Sequence, residues 1–148
     1  MSDWTSDEMM TVAAARLLWD GPQHARLGSQ FSVALKVTSE QPLSVSPMQI
    51  RFDPSLLQNI AVKPGRFLGA DERNFSYRVR QDDGLIYVGA TKQGSQPAAD
   101  AEFLVFVFKP LKTASAAELS IASLNLQGPA GRTIAYNPLA AFRTAITP

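Results

Sequence analysis

The chain has 148 residues and a formal net charge of +1, with 14 basic and 13 acidic residues and basic positions scattered singly. This balance gives no electrostatic basis for binding nucleic acid or an anionic membrane surface. The sequence has no cysteine, which excludes disulfides, thiolate metal sites and a cysteine nucleophile. A chain of this length can bury a full core as one domain.

The N-terminal residues resemble a tail more than a targeting signal. Residues 9–19, MMTVAAARLLW, form an apolar run that contains Arg16 and is too short to span a bilayer. Acidic residues stand where a secretory signal would be basic. We therefore predict a flexible tail over residues 1–12, a single domain over residues 13–148, and no transmembrane segment.

The rest of the chain has the pattern of short strands. QFSVALKVT, from Gln30 to Thr38, alternates between apolar and polar residues, as expected for a strand with one buried face. Similar runs recur, each followed by turn residues, and no stretch has the pattern of a long amphipathic helix. About nine such strands predict an all-β sandwich or barrel. The other runs are 48–52, 60–62, 75–79, 85–91, 103–108, LSIASLNL, RTIAY and AFRTAIT.

Two runs give sharper expectations. Asp82-Asp83-Gly84 separates the alternating runs FSYRVRQ and LIYVGAT, and Asp-Gly favours a tight hairpin turn with positive φ at both central residues. FLVFVF, from Phe103 to Phe108, is apolar at both alternating sets of positions. We expect it to be a central strand covered on both faces.

The stretch from 48 to 68 predicts a strand, a capped turn and a second strand. Met48, Ile50 and Phe52 alternate with Gln49 and Arg51, so the first three should face the core. The Asp53 carboxylate can then accept the backbone N–H of Ser55 or Leu56, and Pro54 suits the first position of one helical turn. Pro64-Gly65 predicts a second turn, with Gly65 at positive φ and Phe67 and Leu68 following as anchors.

The order of these pieces resembles the cohesin domain over about residues 16–146. The features are a strand ending in F-D-P, a turn with L-L, a second strand, P-G-x-F-L, an F-S strand, a D-G hairpin and an apolar core strand. The residues concerned are Phe52, Asp53, Pro54, Leu56, Leu57, Val62, Pro64, Gly65, Phe67, Leu68, Phe75, Gly84, Ile86 and Phe103 to Phe108.

The resemblance implies a nine-stranded β-sandwich of jelly-roll topology, related to carbohydrate-binding-module sandwiches, that binds another protein through one sheet face. Within the family, FSVALKV, FDP, PG-x-FL and the final TP are most similar to modules of secretin-related proteins of the bacterial general (type II) secretion pathway. The implied role is a non-catalytic docking or assembly module of a larger extracytoplasmic protein, in the periplasm or at the outer membrane. A secretion-system component is the implied partner.

In cellulosomes the cohesin partner is a dockerin. Dockerin-binding cohesins tend to have polar or acidic residues at positions where this chain has Val45, Pro47 and Lys92. Dockerin recognition of the cellulosomal kind is therefore not expected.

No pattern predicts catalysis, a metal or another cofactor. His24 is the only histidine and lies in DGPQHARLG, where a solvated loop position is the simpler interpretation. Asp82 and Asp83 lack the rest of a calcium loop, and neither G-x-S-x-G nor a paired-carboxylate arrangement stands out. We expect a protein that is not an enzyme.

Carbohydrate binding is the alternative function, because related sandwiches stack sugars on coplanar aromatic rings. The candidate rings are those of Trp4, Trp19, Tyr87 and Tyr136. Trp19 precedes Asp-Gly-Pro and fits a core position at a strand end better than an exposed platform.

For protein binding, the candidates are outward residues near the hairpin. Arginine is enriched at interfaces and binds carboxylates in a bidentate manner, although a solvated sheet face explains the same pattern. The predicted partner-binding residues are Gln49, Arg51, Ser76, Arg78, Arg80 and Lys92.

Overall fold

The computed structural model describes residues 15–39, 43–45, 47–66, 75–95, 101–127, 133–137 and 139–148, without the side chains of residues 43–45 and 90–95. Within these ranges the chain forms eleven β-strands and no α-helix. The strands are β1 (Ala15–Asp20), β2 (His24–Arg26), β3 (Phe31–Ser39), β4 (Leu43–Val45), β5 (Met48–Phe52), β6 (Leu57–Pro64), β7 (Phe75–Arg80), β8 (Leu85–Ser95), β9 (Ala101–Pro110), β10 (Ala114–Leu124) and β11 (Phe142–Thr147).

The strands form two sheets, which confirms the predicted sandwich. The smaller sheet has the order β1-β3-β9-β6, with every neighbouring pair antiparallel. In the larger sheet β2, β11, β10, β5, β8 and β7 follow one another, and only β2 and β11 are parallel. The buried apolar side chains of the two sheets form one core between them.

β4 and β5 are two parts of one strand along β8. Val45 pairs with Thr91, and Met48 pairs with Val88. The two pairs are three residues apart on each strand, so β4 and β5 keep the same register along β8. Pro47 directly precedes β5 at this break and has no N–H to donate to a ladder.

β1 and β2 are also successive parts of one run, but they lie in different sheets. The chain crosses between the sheets at Gly21 and Pro22, next to the ring of Phe142. A β-carbon on Gly21 would lie 2.9 Å from that ring, so glycine allows the close passage. Counting each divided run once gives nine strands among the described residues, the predicted number. The set differs from the prediction, because the β1–β2 run was not predicted and the predicted strand RTIAY forms only isolated bridges at Thr133 and Tyr136.

β9 is central in the smaller sheet, between β3 and β6, as its apolar sequence predicts. Leu104, Phe106 and Phe108 are fully buried, and the rings of Phe108 and Phe52 pack edge to face at 5.3 Å. Burial of each such side chain contributes about 1.5–3 kcal/mol to stability. The Phe108 ring therefore packs behind β5, at the middle of the larger sheet.

The stretch from 48 to 56 follows the prediction with one difference. Met48, Ile50 and Phe52 are buried, and the side-chain Oδ1 of Asp53 accepts the Ser55 backbone N–H at 2.9 Å. The backbone makes a single turn over residues 54–56 without becoming a helix, because β6 already begins at Leu57. Pairing of β6 with β9 therefore takes precedence over helix propagation.

The predicted positive φ at Gly65 is wrong. Only Gly28 and Gly84 have positive φ among the glycines that the structure describes. At Gly65 glycine is needed for close approach, because a β-carbon would overlap the carbonyl of Glu102 while the Gly65 N–H donates to Phe103 O at 2.8 Å. The predicted anchors at positions 67 and 68 lie outside the described residues.

The predicted hairpin joins β7 to β8, but its turn is longer than Asp-Gly alone. Arg80 pairs with Leu85, so four residues form the loop. Gln81–Asp83 is a 3₁₀ turn, and Gly84 then adopts the left-handed conformation, with φ 66° and ψ 38°. The two-residue turn is wrong because Asp83 belongs to the 3₁₀ turn, which leaves Gly84 alone at positive φ.

Candidate functional site

The outer face of the larger sheet brings together five of the six predicted partner-binding residues. Across β5, β8 and β7, Gln49 pairs with Tyr87, which pairs with Arg78. In the next outward row, Arg51 pairs with Leu85, which pairs with Arg80. Side chains two residues apart on a strand point to the same face, so Ser76 joins this set beside Gly89. We call this surface, the outward side of β10, β5, β8 and β7, the hairpin face.

The predicted residues on the hairpin face are available to a partner. Gln49, Arg51, Ser76, Arg78 and Arg80 are all exposed, whereas Ile86 and Val88 point into the core. Lys92 belongs to the backbone of β8, but its side chain is outside the described part of the structure. Its role as a binding residue stays a prediction.

Two ion pairs lie on or next to this face. Arg80 Nε contacts Asp83 Oδ2 at 3.1 Å, and Arg143 Nε on β11 contacts Glu118 Oε1 on β10 at 3.1 Å. Arg51 and Arg78 have no ion-pair partner among the residues the structure describes. Among the described side chains on the strands of this face, these two guanidinium groups are therefore the charges without an ion-pair partner.

A shallow groove of about 540 Å³ crosses the same face. Gly89 forms its floor because a residue without a side chain leaves a gap between Ser76 and the neighbouring strand. A β-carbon there would lie 3.2 Å from the Ser76 hydroxyl. The lining residues are Pro47, Met48, Gln49, Ser76, Tyr77, Arg78, Tyr87, Val88, Gly89, Ser123, Leu124 and Asn125.

Sequence reasoning missed Gly89 as part of the candidate site, and it named Tyr87 only as a candidate sugar-binding ring. A glycine inside an alternating run is a known sign of a bulge or of close approach by another chain, and LIYVGAT contains one. Ser123, Leu124 and Asn125 gave no such signal. They reach the groove only because β10 pairs with β5 across a register shift between Ile121 and Ser123.

The remaining candidates for chemistry are not assembled into a site. His24 is exposed on β2 and not in a loop, because β2 pairs with β11. Asp83 contacts Arg80, as in the turn interpretation. Within the described ranges, no group of three or more His, Asp or Glu side chains could hold a metal ion.

The candidate sugar-binding rings do not share one surface. Trp19 packs against the core, 6.2 Å from the Phe106 ring, and Tyr136 also packs on the core while its hydroxyl donates to Leu124 O at 3.1 Å. Tyr87 lies on the hairpin face, and Trp4 is outside the described residues. These three described rings therefore form no common stacking platform.

The match to a protein-family model decides the classification. The model of the cohesin domain matches residues 20–132, well over half of the chain. The chain belongs to the cohesin domain family. This confirms the resemblance seen in the F-D-P strand and the D-G hairpin.

Solved cohesin structures have the same fold as this cohesin domain. A non-cellulosomal cohesin from the hyperthermophilic archaeon Archaeoglobus fulgidus superposes with a TM-score of 0.77 at 16% identity, over 92% of this chain and 93% of that one. A chain of a type I cohesin–dockerin complex from Clostridium thermocellum gives 0.77 at 18% identity, over 90% and 99%. The cohesin module of a family 33 glycoside hydrolase from Clostridium perfringens gives 0.73 at 10% identity, over 91% and 98%.

No curated protein matches this cohesin domain in sequence. Cohesin domains are non-catalytic modules that dock one protein onto another. None of the described residues forms a helix long and apolar enough to cross a membrane.

Proposed function

We propose that this cohesin domain is a docking module that binds a partner protein through the hairpin face, as part of an extracytoplasmic bacterial assembly. The observation that supports it best is the convergence of Gln49, Arg51, Ser76 and Arg78 beside the Gly89 groove on one continuous sheet surface. Ordered strands keep these side chains in fixed relative positions, which lowers the entropy lost on binding.

The assembly that we propose is related to the bacterial general (type II) secretion pathway, with the domain in the periplasm or at the outer membrane. The similarity of FSVALKV, FDP and the TP end to secretin-related modules supports this context. The dockerin complex among the similar structures supports protein docking as the mode of action. With Val45, Pro47 and Lys92 at the positions discussed above, the proposed partner is not a cellulosomal dockerin.

Affinity capture from the envelope fraction of the source cells tests the docking role. The bait is the wild-type domain, compared with Gly89→Leu, which fills the groove, and with Ser32→Leu, an equally apolar change on the exposed outer side of β3. We expect a secretion-system protein to be retained by wild type and Ser32→Leu and lost from Gly89→Leu.

Equal retention by all three baits would rule out the groove as the docking site. Recovery of glycans without any protein would favour the carbohydrate alternative instead. Urea unfolding of both variants establishes that the two leucines leave the fold intact.

A further inference from the structure

Arg51 and Arg78 stand on either side of β8 on the hairpin face. Arg51 is opposite Leu85, and Arg78 is opposite Tyr87. They are separated by two strand spacings across the sheet and two residues along it, which places their Cα atoms about 12 Å apart. A single bound segment can therefore contact both.

The surface between the two arginines is not charged. Leu85 and Tyr87 are half-buried and face outward there, so a partly apolar strip joins the two guanidinium groups. The Arg80–Asp83 and Arg143–Glu118 pairs on either side are already neutralised. Among the described side chains on the strands of this face, Arg51 and Arg78 are therefore the charged groups that remain for a partner.

We propose that the partner presents an acidic protein segment to this face, with carboxylates bound by Arg51 and Arg78 and an apolar side chain lying over Leu85 and Tyr87. This inference rests on the proposed docking function and specifies the chemistry of the partner. The planar guanidinium group binds a carboxylate through two parallel hydrogen bonds, and exposed arginines lose less hydration than lysines do. Two isolated cations on a chain of net charge +1 suit a short acidic segment better than a long polyanion.

Charge reversal with selected peptides tests this chemistry. A phage-displayed library of random peptides is selected on the immobilised wild-type domain and on the double variant Arg51→Glu/Arg78→Glu. The matched control is Lys63→Glu/Lys109→Glu, which lowers the net charge equally but lies on β6 and β9 of the other sheet. Urea unfolding establishes that each variant is folded.

We expect wild type and the lysine control to enrich acidic peptides, and the arginine variant to enrich basic ones. Each of Arg51→Gln and Arg78→Gln should weaken a selected acidic peptide about tenfold, the loss expected when one charge-assisted hydrogen bond is removed.

Three outcomes would overturn the proposal. The wild-type domain selects no peptides above an empty support, or it selects peptides that are not enriched in acidic residues. The third outcome is that the lysine control, like the arginine variant, selects basic peptides. These outcomes are distinct from failure of the docking function itself. If Gly89→Leu still abolishes protein capture, the hairpin face docks a partner whose chemistry is not acidic.

Discussion

Asn59 donates its backbone N–H to the side-chain amide oxygen of Gln81 at 3.0 Å, and Gln81 Nε2 donates in turn to Leu57 O at 2.9 Å. The Gln81 amide thus makes the two hydrogen bonds that a neighbouring strand would make with β6, at the edge of the smaller sheet. Because Gln81 directly follows β7 of the larger sheet, it also joins the two sheets where the hairpin face ends.

Replacing Gln81 by alanine should open this edge of β6. The change leaves a part-buried N–H and a carbonyl without partners, and we expect unfolding free energy to fall by about 1–3 kcal/mol. Amide hydrogen exchange at Asn59 should accelerate. Gln81→Glu is the matched control, because its carboxylate still accepts from Asn59 but cannot donate to Leu57 at neutral pH. Unchanged exchange at Asn59 in Gln81→Ala would contradict the assigned role.

Alanine substitutions at Gly84 and Gly28 distinguish backbone strain from steric overlap of the added β-carbon. Both have positive φ, 66° and 81°, so alanine at either is strained by about 1–2 kcal/mol. At Gly84 the new carbon would also overlap the Phe52 carbonyl, whereas at Gly28 it meets no atom within 4 Å. We expect Gly84→Ala to destabilise the domain by about 1–3 kcal/mol more than Gly28→Ala in urea unfolding. Equal losses would show that the turn relaxes away from Phe52.

Asp53 should make a pH-dependent contribution to stability. Hydrogen bonds from the Ser55 hydroxyl and then the Ser55 backbone N–H lower the pKa of Asp53 below its ordinary value of 3.8. The folded state thus favours the ionised carboxylate, so the contribution is complete above that ordinary value and is lost as the pH falls through the lower folded pKa.

We expect Asp53→Ala to lower unfolding free energy by about 1 kcal/mol at neutral pH, the effect of losing a charged turn-capping group. The difference from wild type should shrink in urea unfolding curves measured well below pH 3.8. Asp82→Ala is the control, since Asp82 is exposed and makes no hydrogen bond or ion pair within the described structure. A loss at Asp53 that is constant with pH would exclude this mechanism.

Thr144 is the site where a substitution should stabilise the domain. Its side chain is 1% exposed and lies among apolar residues that include Val33 and Leu119. Its hydroxyl has no hydrogen-bond partner in the part of the chain that the structure describes. Thr144→Val keeps the shape and removes the buried hydroxyl, so we expect a gain of about 1 kcal/mol in thermal or urea unfolding.

Thr147→Val is the control for this gain. Thr147 is an exposed residue whose hydroxyl makes one long hydrogen bond, to Ala25 O at 3.4 Å, so removal of this hydroxyl should change stability little. A loss of stability in Thr144→Val would mean that the buried hydroxyl has a partner, such as an internal water.

Local patterns predicted the parts of the fold that depend on neighbouring residues. The alternation of Met48, Ile50 and Phe52 gave the correct core face of β5, and Asp53 caps the following turn as expected. The apolar run of β9 correctly indicated a central strand. Each of these features is decided by side-chain period or by a contact two residues away.

Other features depend on contacts between distant strands. Glycine is needed at position 65 because β9 passes close to it. The β7–β8 turn has four residues, and one of them, Gln81, forms hydrogen bonds with β6. The groove at Gly89 likewise depends on which residues β10 and β7 place beside it. A short-range pattern contains no information about these neighbours, so the sequence predicted the outward arginines but not the groove.

The parallel pairing of β2 with β11 determines how the domain would respond to a pulling force. His24, Ala25 and Arg26 pair with Ala145, Ile146 and Thr147, so the first and last strands of the larger sheet run side by side in the same direction. A force between residue 24 and residue 148 draws these strands past each other and loads their hydrogen bonds together in shear. In an assembly held under tension, the hydrogen bonds between β2 and β11 would therefore have to break together and not one at a time.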